Sequence, residues 1–195
     1  QVDSLLWGLF YGGLLILAIY NLVLFFGVRE KSLLAYVGYI FAVILWQFVW
    51  GGHTQLVFSE GIPSWIVGHS ELIFVIIGLS SGLFTIMFLE TKKNSPTAHP
   101  IIKLLMIGQG LIGFICFVDV LPSIWKNNVV YGLGLVAILS YIYAGFEAFI
   151  NKFKPARYFI FAWGMLASGA IIGMLSLVGI LPTNDFTTYC FQVGV

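Results

Sequence analysis

Six apolar runs, each about the length needed to cross a bilayer, constrain this chain more than any other feature. They run from Leu5 to Val28, Leu33 to Trp50, Trp65 to Leu89, Ile101 to Leu121, Asn128 to Ile150 and Tyr158 to Leu181. A helix rises about 1.5 Å per residue, so roughly 20 residues cover a hydrocarbon core about 30 Å thick. Barrel strands would be about 10 residues long and alternate in polarity, and no alternation is visible here. A seventh apolar stretch opens at Phe186 and runs to Val195. The fold class expected is an all-α polytopic membrane bundle. It has six complete spans, the start of a seventh, and one domain over residues 1–195.

Composition says which solvent surrounds these helices. Hydrophobic residues make up 60% of the chain and charged residues 9%, against about 25% charged in an average soluble domain. A soluble chain of 195 residues could not hide that much apolar surface, so the excess faces lipid. A net charge of +1 with no basic patch gives no reason to expect a nucleic-acid partner. Cys116 and Cys190 lie in separate apolar runs and read as small buried hydrophobes. No basic stretch precedes the first run, which therefore reads as a span and not a signal peptide. The chain is expected to be a piece of a longer protein.

The gaps between runs are chemically sharp. Pro63, Pro96, Pro100, Pro122, Pro155 and Pro182 all lie between spans or at their ends. The run YNLVLFFGVREK stops at Arg29 because the helix has reached water. Arg29, Lys31, Lys92, Lys93, Lys103, Lys152, Lys154 and Arg157 fall in or beside odd-numbered connections, which leaves Lys126 as the sole basic residue on the other side. The positive-inside rule then makes the odd connections cytoplasmic and the N-terminus external. Trp7, Trp50, Trp65 and Trp125 fall at the outer interface, where amphipathic rings settle.

Polar groups inside the spans are the candidate functional residues. Asn21, Gln47 and Gln109 should each find a partner on another helix or on the backbone, because an unpaired amide in hydrocarbon is costly. Glu71 lies near the outer end of span three beside His69 and Ser70, and intramembrane carboxylates are switch or ligand candidates. Its position would also let the carboxylate reach interfacial water. Glu147, near the inner end of span five, is placed to pair with Lys152 or Lys154. Asp119 and Glu90 read as solvated helix ends. Gly8 with Gly12, Gly78 with Gly82 and Gly169 with Gly173 have the small-xxx-small spacing of close helix packing.

Several chemistries lack their residues. A metallohydrolase needs ligands converging at one depth, but His53 and His69 lie outside, His99 lies inside, and His69 and Glu71 are two apart, on different faces. No lysine sits at mid-depth within the six spans to hold a retinal. No nucleotide-binding or nucleophile-elbow pattern has a supporting context. No cofactor is expected, and the chain is not expected to be an enzyme. A small solute transporter or channel is the alternative function, and it would need a continuous polar path.

The run YGGLLILAIYNLVLFF, a short basic loop and then LLAYVGYIFAVILWQ resemble the membrane region of the bacterial seven-transmembrane receptors with diverse intracellular signalling modules. The resemblance continues in FLETKKNSPTAHP, ARYFIFAWGMLASG and GILPTNDFTTYCFQVG, so it runs nearly end to end. Tyr20, Asn21, Pro182 and Asn184 match the family's pattern. The resemblance implies a receptor in the bacterial inner membrane. It would be joined to an extracellular sensor domain and to a cytoplasmic histidine kinase, nucleotide cyclase, diguanylate cyclase or phosphatase, and could be a homodimer. It assigns no catalytic residue to the bundle.

Overall fold

The computed structural model describes residues 2–54, 68–119, 122–177 and 181–182. The described residues form six long helices and one short one: α1 Val2–Val28, α2 Lys31–Trp50, α3 Ser70–Phe88, α4 Thr91–Asn94, α5 Ala98–Val118, α6 Ser123–Ile150 and α7 Ala156–Leu177. Five of them, α1, α2, α3, α5 and α6, are long and apolar enough to cross a membrane. The stretch opening at Phe186 lies outside the described residues.

The helices are inside-out in polarity. On α5, Leu104, Ile107, Leu111, Phe114 and Val118 are exposed at helical spacing, while Ile102, Gln109, Ile112 and Cys116 face the bundle. In water that stripe would be an aggregation surface; in lipid it is the ordinary exterior. α3 is the hub, packed against α2, α5 and α6, whereas α1 rests mainly on α2 and α7 on α6.

Apolar cores build the bundle in sections. Leu14, Ala18, Ile40 and Val43 join α1 to α2. Val75, Ile112, Cys116 and Val130 join α3, α5 and α6. A larger core holds Leu89, Ile102, Tyr141, Phe159 and Trp163. Small residues on α6, Ala137, Ala144 and Ala148, let neighbouring backbones close on it.

The sequence boundaries shift where capping intervenes. α5 begins at Ala98, so Pro100 falls in its first turn, where its missing N–H costs nothing. α6 begins at Ser123, five residues before the apolar run suggests, and draws Lys126 into the helix. Four helices turn out of the membrane through a charged residue with positive φ: Arg29, Glu90, Asp119 and Lys152. After α6 the Lys152 N–H donates to Phe149 O at 3.0 Å and the Phe153 N–H to Ala148 O at 3.0 Å. That is the Schellman pattern, with lysine in the place glycine usually fills.

The glycine spacing marks a close helix contact at one pair. A Cβ on Gly78 would lie 2.6 Å from Gln109 Nε2, and one on Gly82 2.8 Å from Met106 Cγ, so both mark the α3–α5 contact. Gly8 and Gly12 have nothing within 4 Å among the described residues. Gly113 against Val75 and Gly145 against Ile160 are equally tight and belong to no glycine pair. The surroundings of Gly173 lie outside the described residues.

Candidate functional site

The polar side chains gather at three levels, one at each end of the bundle and one between. The first level is the end away from the basic connections. Lys126, on the first turn of α6, places Nζ 3.1 Å from Glu71 Oε1 and 2.5 Å from Asp119 Oδ1. The Lys126 and Glu71 side chains are 3% and 4% exposed, while Asp119 is 61% exposed. The ammonium therefore ties α3 to α6 and to the end of α5, with one carboxylate buried and one in contact with the surroundings. Val75, Ile112 and Cys116 form the apolar floor beneath. The hydrogen bond from Lys126 holds the Asp119 carboxyl below the ordinary carboxylate range, and the nearby charge of His69 acts in the same direction.

Two sequence expectations are corrected here. Glu71 does not reach the interface; it is buried and its charge is met within the protein. Asp119 is exposed as a helix end should be, but it is also an ion-pair partner. Lys126 was missed as a site residue. The available signal was that it is the only basic residue at that end, so a buried carboxylate there has one candidate cation. His69 is the residue before α3. Among the described residues no group of three or more His, Cys, Asp or Glu could hold a metal ion. At the same end His53 packs edge-on against Trp7 with ring centroids 5.0 Å apart, and its Nε2 and the Tyr11 hydroxyl are buried without a hydrogen-bond partner among the described residues.

The second level lies within the bundle. Gln109 is buried on α5 and presses its amide against α3 at Gly78. Tyr141 on α6 donates its hydroxyl proton to Gly78 O at 3.0 Å. Asn21 is buried on α1 and satisfies itself on its own helix, donating from Nδ2 to Leu17 O at 2.8 Å. Tyr20 beside it is exposed at the helix surface. Gln47 belongs to the first level, in the last turn of α2; it is buried, and its Nε2 has no hydrogen-bond partner among the described residues.

The third level is the basic end. Glu147 does not pair with Lys152 or Lys154. Its two oxygens instead accept the Thr97 and Ala98 backbone N–H groups, each at 3.0 Å. A carboxylate there satisfies orphan donors of α5 and complements the helix dipole, which outweighs a solvated ion pair. Ser95 donates to Ala144 O at 2.7 Å, and Asn151 Nδ2 donates to Asn94 O at 2.8 Å. Asn94 Nδ2 donates to Leu89 O at 2.8 Å, and Thr91 Oγ1 lies 2.7 Å from His99 Nδ1. These bonds lock α4 and the start of α5 onto the last turn of α6. Glu30, Phe88 and Tyr158 line one cleft of about 380 Å³ at this end, so the three odd connections lie together.

Pro182 is exposed, and Asn184 lies outside the described residues. A family model described as 7TM diverse intracellular signalling matches residues 3–195. No curated protein and no solved structure matches the chain.

Proposed function

The chain belongs to the 7TM diverse intracellular signalling family, and we propose that it relays an extracytoplasmic stimulus through the membrane to a cytoplasmic signalling domain. It is a receptor-type membrane module. The effector joined to it would be a histidine kinase, a nucleotide or diguanylate cyclase, or a phosphatase. The membrane would be the bacterial inner membrane, with the basic connections cytoplasmic by the positive-inside rule. Effectors of these kinds act as dimers, so a homodimer follows from the same reading. The bundle's own part is conformational and not catalytic.

The observation that carries the proposal is the position of α6. Lys126 near its start closes the far-end ion pairs, and Glu147 near its end caps α5 at the basic end. The helix between them spans roughly 30 Å. A displacement at Glu71 and Lys126 therefore reaches the α4–α5 connection through one continuous element, with Tyr141 bonded to α3 midway. Helix shifts in such switches are about 1–2 Å. An input moves the equilibrium only if it binds the two arrangements differently, and Asp119 is the exposed member of the triad on which it could act.

The test is the output of the protein in its membrane with its native flanking domains. Glu71→Gln and Lys126→Met are expected to move the basal output and the dose response, while Lys126→Arg keeps both closer to wild type. Unchanged output and dose response in Glu71→Gln and Lys126→Met would remove the ion pair from the mechanism.

A further inference from the structure

Lys92 and Lys93 lie on the one-turn α4, and Lys103 lies in the second turn of α5; all three are exposed. The connection between them is held firmly. Thr91 Oγ1 lies 2.7 Å from His99 Nδ1, which pins α4 to the first turn of α5, and the Ser95 bond to Ala144 O fixes the same connection on α6. Lys103 follows His99 by four positions, so the two share a face of α5. The ammonium charges of Lys103 and Lys92 both act on the His99 ring. Lysines from two helices thus converge on one part of the surface. No carboxylate neutralises them: among the described residues both ion pairs belong to Lys126. Glu147 commits its two oxygens to the Thr97 and Ala98 N–H groups, and Glu90, exposed at the α3–α4 turn, pairs with neither lysine.

The surface next to these charges says which anion they suit. Ile107 and Phe114 follow Lys103 on the same face of α5 and are 61% and 68% exposed, with Leu104 and Leu111 beside them. Gly110 falls between them in the row. It is exposed, and a Cβ there would meet nothing within 4 Å among the described residues, so the row carries a shallow notch. An apolar row that begins at converging cations and runs toward the bilayer centre matches an amphiphile with an anionic head and a hydrocarbon tail. A soluble phosphate or a phosphopeptide would meet the cations and leave the row unused. Lys103 lies about 7.5 Å from the start of α5, and its four-carbon stem can carry the ammonium back to headgroup level. The positive-inside rule assigns this end to the cytoplasmic leaflet, the one with the negative surface potential.

We propose that Lys92 and Lys103 hold the phosphate of an anionic phospholipid from the surrounding bilayer, with one acyl chain of that lipid lying along Ile107, Gly110 and Phe114. The phosphate oxygens accept hydrogen bonds from both ammonium groups and relieve the repulsion between them. The lipid then bridges α4 and α5 at the connection that Glu147 ties to α6. The proposal rests on the membrane setting alone, so its failure would leave the signalling reading standing.

The experiment titrates the protein in neutral detergent micelles with phosphatidylglycerol and with phosphatidylcholine of the same chains, and counts bound lipid by native mass spectrometry. Phosphatidylglycerol is expected to bind about fivefold or more tightly than phosphatidylcholine, the effect of one lysine meeting an anionic headgroup. Lys92→Gln combined with Lys103→Gln is expected to abolish that preference. Lys152→Gln combined with Lys154→Gln removes the same charge from the same end and is expected to keep it. Helicity and gel-filtration behaviour of both variants are checked against wild type. The proposal is overturned if phosphatidylcholine matches phosphatidylglycerol on the wild type, or if the folded Lys92 and Lys103 variant keeps the preference. It is equally overturned if the Lys152 and Lys154 variant loses the preference as fully, which would make the effect one of net charge. Displacement of the lipid by glycerol phosphate or a phosphoserine peptide at the lipid's own concentration would assign the cations to a soluble anion and also overturn it. If the Lys92 and Lys103 variant does not fold, the wild-type lipid comparison and the displacement decide.

Discussion

Glu71 and Lys126 are both nearly sealed from the surroundings, so removing Lys126 leaves the Glu71 charge buried and uncompensated, whereas removing Glu71 leaves Lys126 its second partner, Asp119. Lys126→Met alone is therefore expected to destabilise the bundle by about 3–5 kcal/mol, and Glu71→Gln by less, measured by thermal unfolding in detergent. Glu71→Leu combined with Lys126→Met should recover most of that loss, because well-packed apolar side chains can replace a buried ion pair at little cost. A double variant as unstable as the sum of the singles would show that the two do not act as a pair. Asp119 gives a pH dependence. Its pKa is lowered in the folded state by the hydrogen bond from Lys126. The stabilisation is thus present above the unfolded value of about 3.9 and is lost as pH falls through the lower folded value. Wild type is expected to lose stability relative to Asp119→Asn as pH falls below about 4, measured by the same thermal unfolding. Glu71 was visible in the sequence as an intramembrane carboxylate, but its burial was not. Its partner was not singled out, because Lys126 reads as a loop residue until α6 is seen to start at Ser123.

At the scale of elements, the basic end is held by side chains on backbone. Glu147→Ala removes both acceptors from the first turn of α5 and is expected to cost about 1–2 kcal/mol. Hydrogen exchange should show the Thr97 and Ala98 amides losing protection first, and Glu147→Gln should lie between wild type and alanine. An unprotected Ala98 amide in wild type would contradict the cap. The glycine contacts make a second element-scale prediction. Gly113→Ala meets Val75 Cγ1 at 2.9 Å, a β-branched group with little freedom, and should lower stability in the same thermal assay. Gly78→Ala meets only the end of the Gln109 side chain, so its cost should be smaller, and Gly12→Ala should be neutral. The sequence marked Gly78 and Gly82 by their spacing. It could not mark Gly113 or Gly145, because each is needed by one neighbour's bulk and not by a repeat.

At the scale of the whole molecule, the uneven spread of lysine and arginine predicts orientation. Cysteine at position 152 should react with a membrane-impermeant reagent only from the cytoplasmic side, and cysteine at position 122 only from outside. The reverse pattern would invert the proposed direction of signalling. Apolar excess, span length and the placing of prolines and charges were all legible in the amino-acid order, because they record the solvent around each helix. They set the all-helical membrane architecture, and the YNLVLFF and FLETKKNSPTAHP runs pointed to the family. Which polar groups meet was decided only in three dimensions. Tyr141 bonds to Gly78 across 63 residues and Ser95 to Ala144 across 49. Glu147 chose a helix N-terminus over the lysines beside it in sequence. Those outcomes depend on how far each helix is rotated and how closely its neighbours approach, and that follows from side-chain volumes packed on several helices at once.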